Sequence, residues 1–372
     1  MTFVTIVAAA AFLSSAPSHQ HHCSQLYQQQ QQQQPYTDFL HQVETSIENV
    51  FADHDDPLNV DILSLPTKQR EPLGVARALQ ARLDGFSRSQ DCRRCWLQRA
   101  HCICDDCPPL EGHGRKDEHD ARIGVGRLFL LTHHKEICLT VDTAKLILAA
   151  FPQSCRLVVG GIGPDYQASM AEMMDCIGNN QPFVLFPSDD AQTLRSLLDD
   201  DNDESPTTNQ HSSTQPSLSD VIVIDGTWSQ ARKLHSRYIS NNPHSTARHV
   251  ELSQEAVAHL DGQSNENDSN TVALSGTKQR GHQLRRHPIK WREISTLEAT
   301  RLFLRDVYIE QTRHERPSQQ EPTLSPLHHD LGDDHAEPDW LEKLALYQEI
   351  ADAAAKRQLG PVRLKMNATV KQ

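Results

Sequence analysis

The chain has 372 residues, with 49 Asp and Glu against 36 Lys and Arg, for a formal net charge of −13. Apolar residues make up 37% and aromatics 5%, too few for a core running the whole length, so composition points to one packed domain carrying low-complexity additions. An overall basic chain of the kind that coats nucleic acid is excluded, and so is a polytopic membrane protein, because no apolar run approaches the roughly 20 residues a spanning helix needs.

Residues 3–13 are apolar and precede Ser14-Ser15-Ala16-Pro17, but no Lys or Arg comes before them. The run therefore reads as a weak targeting segment or an extension, not as a complete signal peptide. Residues 28–34 are unbroken glutamine, and residues 1–68 are expected to form a disordered arm. A helix is expected over residues 74–83. It leads into Cys92, Cys95, Cys102 and Cys104, spaced C-x2-C-x6-C-x-C. Two close pairs about one loop apart suit a four-thiolate zinc site, because each pair can reach one metal from one tight turn. Disulfides are the alternative. The basic neighbours Arg93, Arg94 and Arg99, and pairs of intracellular character, favour the metal. Cys107 is a fifth thiol able to replace one ligand, whereas Cys138, Cys155 and Cys176 sit in apolar contexts that suit core thiols.

Beyond the thiols, strands and helices alternate. Strands are expected at 127–132, 156–160, 183–186 and 221–225, and helices at 141–151, 167–176, 228–238 and 296–309. Alternation of this kind implies an α/β fold with a mostly parallel sheet and helices on both faces. Gly160-Gly161-Ile162-Gly163 follows a strand and would let a ligand approach closely, although it is no G-x-G-x-x-G fingerprint. Residues 189–218 and 254–276 are polar and partly acidic, and are expected as disordered insertions within a domain spanning 69–312. A linker at 313–338 and a C-terminal helix and tail at 339–372 complete the chain.

Asp225-Gly226-Thr227-Trp228 closes the apolar run Val221-Ile222-Val223-Ile224 and opens a helical stretch. That places a carboxylate, a flexible glycine, a capping hydroxyl and an aromatic ring at the C-terminal end of a parallel strand, where open α/β sheets bind ligands. Arg232 lies one helical turn beyond Trp228, placed to clamp a carboxylate or a phosphate. Ser295 with Glu298 forms a capping-box pattern at the start of the late helix. From Lys278 to Arg301 there are seven basic residues against two acids, a local charge of +5. Lys278, Arg280, Arg285, Arg286, Lys290 and Arg292 are therefore the candidate RNA contacts despite the acidic whole.

Taken together, the cysteine pairs and the D-x-T-W motif resemble the DTW-domain family. His133-His134-Lys135-Glu136 with Asp142-Thr143 resembles its H-P-x-E…N-T segment, with His134 in place of Pro and Asp142 in place of Asn. Residues 183–187 resemble its apolar strand ending in F/Y-P, and Ser295-Thr296-Leu297-Glu298-Ala299 its S-T-x-E-A segment. The resemblance covers roughly residues 90–310. It implies a fold related to the knotted SPOUT methyltransferases. It also implies an enzyme, an aminocarboxypropyltransferase that takes S-adenosylmethionine as donor and acts on uridine in transfer RNA. Asp225, Thr227 and Trp228 are then the catalytic candidates, with Asp225 as the base that takes the uracil N3 proton. Asp225, Gly226, Trp228, Arg232, Ser295, Thr296 and Glu298 are the candidate donor contacts. A zinc-thiolate RNA enzyme is expected in the cytoplasm or nucleus, since oxidation would compete with metal binding elsewhere. Transfer of the same or a methyl group to ribosomal RNA, and a non-catalytic zinc-containing RNA-binding module, are the alternatives.

Overall fold

The computed structural model describes residues 38–111, 123–203, 219–261, 295–315 and 337–369. Six strands, β1 (Leu128–His133), β2 (Cys155–Gly160), β3 (Phe183–Leu185), β4 (Gln192–Thr193), β5 (Val221–Asp225) and β6 (Arg248–Glu251), form one sheet in the order β2-β1-β5-β3-β6-β4. All pairings are parallel. Around them lie α1 (Phe39–Ala52), α2 (Thr67–Ser89), α3 (Ala144–Ala150), α4 (Ala168–Asn179), α5 (Leu194–Asp203), α6 (Trp228–His235), α7 (Gln254–Asp261), α8 (Thr296–Glu315) and α9 (Asp339–Thr369). The expected α/β architecture with a parallel sheet is thus present.

The period of two along each strand sorts side chains into two cores. Leu128, Leu130, Val221 and Val223 face one core, closed by α2, α3, α8, α9 and the cysteine segment. Phe129, Leu131, Ile222 and Ile224 face the other, closed by Met170 and Met173 of α4 and by Ala231 and Leu234 of α6. Every residue of β5 is buried. Strands covered on both faces read as continuous β-branched runs, and Val221-Ile222-Val223-Ile224 is such a run.

Order begins earlier than composition suggests. Residues 38–68, expected in the disordered arm, contain α1, whose Leu40, Val43, Ile47 and Val50 are each at most 1% exposed. Asp38 caps it by accepting from the His41 N–H at 3.1 Å. The apolar spacing at three and four residues specifies this amphipathic helix, and the neighbouring glutamine run masked it. Likewise, part of the expected insertion at 189–218 is ordered, since Leu194 and Leu197 of α5 are buried. Residues 254–261 of the second insertion form α7. The helix expected at 228–238 is split into α6 and a wider π turn over Ser236–Ser240.

Gly160 ends β2, paired with His133. A Cβ placed there would lie 2.3 Å from Cδ2 of Leu234. Its missing side chain therefore lets α6 seat against the sheet. Gly160→Ala should cost about 1–3 kcal/mol, as overpacking does. Urea denaturation should show a lower midpoint with an unchanged slope. An unchanged midpoint would show that Leu234 has room to yield.

Candidate functional site

The cysteine segment folds back through Trp96, which adopts a left-handed conformation at φ 55. The Trp96 N–H donates to the Cys92 carbonyl at 2.8 Å, and the Cys92 N–H donates to the Leu97 carbonyl at 2.8 Å. This knuckle brings Cys92 Sγ to 3.5 Å from Cys104 Sγ and Cys95 Sγ to 3.7 Å from Cys102 Sγ. All four sulfurs lie within 4.8 Å of one another, and none is in a disulfide. A tetrahedral four-sulfur site with bonds of about 2.3 Å has edges of about 3.8 Å, whereas a disulfide needs about 2.05 Å. The cluster therefore has the geometry to hold a metal such as zinc. Hydrogen bonds from Cys102 and Cys104 pull the Cys92 thiol well below its ordinary range. Cys107 stands outside the quartet, and burial pushes its thiol up to about 12, which keeps it protonated.

Asp225 has no exposed surface. Thr296, the first residue of α8, donates its hydroxyl to Asp225 Oδ1 at 2.6 Å. One bond thus ties the end of the central strand to the start of a helix 71 residues away. Gly226 follows at φ +150, where a Cβ would stand 3.4 Å from that of His133; this is a backbone conformation that suits glycine. Thr227 is the N-cap of α6, its N–H donating to Gln230 Oε1 at 2.6 Å.

Trp228 is half-buried and stacks on Phe186, with centroids 5.3 Å apart and planes 7° apart. Phe186 stacks in turn on His235 at 4.2 Å and 13°. His235 Nε2 is 2.8 Å from His249 Nε2, and His249 Nδ1 is 2.9 Å from Asp190 Oδ2. One proton fits between the two Nε2 atoms. With His249 Nδ1 donating to Asp190, its Nε2 is left to accept and His235 is the donor. Burial lowers His235 to about 4, so its ring is neutral near pH 7.

The remaining expected site residues divide. The Ser295 hydroxyl accepts from the Glu298 N–H at 3.1 Å and from Gln348 of α9 at 2.9 Å. The Glu298 carboxylate forks onto Arg301 at 2.8 and 3.2 Å. It thus makes an ion pair along the first turn of α8, largely withdrawn from water, and Arg301 belongs to that pair. Arg232 lies on the exposed face of α6, its guanidinium 5.9 Å from the Trp228 ring centre. Lys278, Arg280, Arg285, Arg286, Lys290 and Arg292 lie outside the described residues, as does the apolar N-terminal run.

Three contributors were missing from the expected site, although all three belong to motifs already noted. His133 ends β1 beside Asp225, and Lys135 N–H donates to its Nδ1 at 3.2 Å. Burial, followed by the charges of His134, Lys135, Lys233 and Arg82, lowers it to about 4. Phe186 supports Trp228. Thr143, before α3, accepts from the Leu297 N–H at 3.4 Å and so helps seat α8.

A family model for the DTW domain matches residues 89–329, from just before the first cysteine to beyond α8. The chain belongs to the DTW-domain family, and that membership is consistent with a tRNA-modifying transferase. No solved structure matches it. Among the described residues no helix is long and apolar enough to cross a membrane.

Two outcomes follow from this geometry. Elemental analysis of reduced, freshly purified protein should find about one metal ion per chain, and Cys95→Ser should lose both the metal and thermal stability, as removal of a structural metal ligand does. Metal-free protein of full stability would remove the cluster from the account. The second outcome concerns pH. His235 is depressed to about 4 in the folded chain, against about 6.5 when unfolded. Above pH 6.5 the ring is neutral in both states and its contribution is fully present. As pH falls from 6.5 towards 4 the unfolded chain gains a proton that the folded chain refuses, and stability declines. Urea midpoints should therefore fall over that window, less steeply in His235→Gln. Parallel curves for the two proteins would refute the assignment.

Proposed function

We propose that the protein transfers the 3-amino-3-carboxypropyl group of S-adenosylmethionine to N3 of a uridine in transfer RNA. The observation that carries this reading is the DTW-domain match over a region whose motif sits at the C-terminal end of the central strand, with Asp225 held by Thr296 and Trp228 stacked beside it. That end of a parallel sheet is where α/β folds bind ligands. The SPOUT-like threading implied by the resemblance belongs to the same proposal.

When bound, S-adenosylmethionine supplies an electrophilic carbon attached to its sulfonium. Uridine N3 gives its proton to a base and bonds to that carbon, while methylthioadenosine leaves with the carbon–sulfur bonding pair. The protein's share is then mostly alignment. Trp228, held flat by Phe186, is the stacking platform for adenine or uracil. Gly226 has no side chain to obstruct the backbone beside it, and Thr227 fixes the start of α6. Ser295 and Thr296 open α8 beside Asp225, Thr296 through its bond to Oδ1. Arg232, also expected as a donor contact, stands on the exposed face of α6, and Glu298, expected likewise, is held in the Arg301 pair. Asp225 is assigned as the base. Being fully buried, it meets a substrate atom only if the first turn of α8 shifts. The metal of the cysteine cluster is assigned as zinc with a structural role, closed by four thiolates. The basic residues at 278–292 are assigned to RNA phosphates on their composition.

Incubated with S-adenosylmethionine and unmodified transfer RNA, the protein should release methylthioadenosine and leave a uridine heavier by one aminocarboxypropyl group. Asp225→Asn preserves shape but removes the base, and should lower kcat by about 10²–10⁴-fold. An equal loss in Thr296→Val would instead make Asp225 a positioning residue. Release of S-adenosylhomocysteine would make the protein a methyltransferase, and release of neither product with any RNA would favour a non-catalytic RNA-binding module.

A further inference from the structure

We propose that an open cleft on the outer face of α6 and its following π turn binds the phosphodiester backbone of the RNA substrate. The cleft, of about 550 Å³, is lined by Ser229, Arg232, Lys233, Ser236, Arg237 and Asn241. This rests on the RNA-modifying reading above and adds to it the surface that holds the strand.

Charge is the first argument. Residues 226–250 contain Arg232, Lys233, Arg237 and Arg248 and no Asp or Glu, in a chain of net charge −13. An ordinary solvated helix face mixes signs, so that residues four apart attract. Here Lys233 and Arg237 are four apart with like charge, an arrangement that disfavours an isolated helix. The helix dipole favours cations near the end of α6, but it does not account for positive groups brought from other elements. Arg82 of α2 reaches the end of β1, where its Nη1 donates to the Ile137 carbonyl at 2.9 Å. Lys135 lies there too, its N–H donating to the neutral ring of His133. The depression of His133 registers Lys233, Lys135 and Arg82 at one point, so positive charge from three elements converges beside the cleft. Glu71 of α2 pairs with Arg237 and neutralises part of it.

Position is the second argument. Arg232 lies 5.9 Å from the centre of the Trp228 ring. A strand laid along α6 would therefore pass the motif that closes β5, with its phosphates outside and a base able to turn inward to Trp228. Ser229, Ser236 and Asn241 add neutral hydrogen-bonding groups of the kind that contact phosphate oxygens. The same cations could instead hold a small anion such as the carboxylate of S-adenosylmethionine, and the experiment separates the two.

Full-length, metal-loaded protein is titrated with unmodified transfer RNA at several salt concentrations, alongside a variant carrying Arg232→Gln, Lys233→Gln and Arg237→Gln. Binding of S-adenosylmethionine is measured on both by equilibrium dialysis. The variant should bind the RNA at least about tenfold more weakly, and the slope of log K against log salt should shrink by about 2, at roughly 0.7 per lost single-strand phosphate contact. S-adenosylmethionine affinity should be unchanged. If the triple variant does not fold, Lys233→Gln alone should lower the slope by about 0.7, and Lys233→Arg should restore it. An unchanged RNA affinity and slope would overturn the proposal, as would a loss confined to S-adenosylmethionine. Failure of the parent protein to bind any transfer RNA would instead count against the functional reading on which this one rests.

Discussion

β5 is buried along its whole length, between β1 and β3 in the sheet and between two helical layers. A strand so enclosed has nowhere to place a polar side chain except at its ends, because a buried unpaired carboxylate is too costly to sit mid-strand. Asp225 occupies the last position, and Thr296 satisfies one of its oxygens. Much else depends on that bond. It fixes where α8 begins, and α8 carries Leu297, Phe303, Leu304 and Val307 into the larger core. The motif at this strand end therefore serves folding and chemistry with the same atoms, which is why substitutions there need a readout that separates affinity from rate.

The cysteine segment does comparable work for the helices at the two ends of the described chain. Arg93 forks onto Asp38 and Glu44 of α1 at 2.9 Å. The Gln98 N–H donates to Gln358 of α9 at 2.9 Å, and Tyr347 of α9 donates to the Pro108 carbonyl at 2.7 Å. Arg94 spans the Cys107 and Ala149 carbonyls at 2.9 and 3.1 Å. Helices from both ends of the described chain thus converge on one short, irregular loop. The four converging sulfurs at its centre have the geometry to hold a metal, which would anchor a loop with so little regular structure.

What was legible in the sequence was local. The cysteine spacing, the strand runs and the turn after Ile224 are each encoded within a dozen residues, and each appears as expected. Contacts between distant segments were not legible. Nothing in the sequence says that Thr296 meets Asp225, or that Phe186 stacks between Trp228 and His235. These depend on strand order, which periodicity does not encode. Glu298 looked like half of a capping box. Its backbone N–H does meet Ser295, but its carboxylate turned to Arg301, because an ion pair with a guanidinium one turn away competes with the return bond to the cap. α1 was hidden for another reason: composition averaged over residues 1–68 let the glutamine run outweigh the apolar stripe at Leu40, Val43, Ile47 and Val50.

The electrostatics of the strand end follow from the same enclosure. His133 and His235 both titrate near 4, chiefly because they are partly withdrawn from water. At neutral pH neither ring adds charge to the strand end. A neutral His235 also keeps Phe186 stacked on an uncharged ring while it shares one proton with His249. Protonating His235 would put a charge into a partly buried ring that is stacked on Phe186. The platform under Trp228 therefore rests in part on a neutral His235, a step removed from any group that handles the substrate.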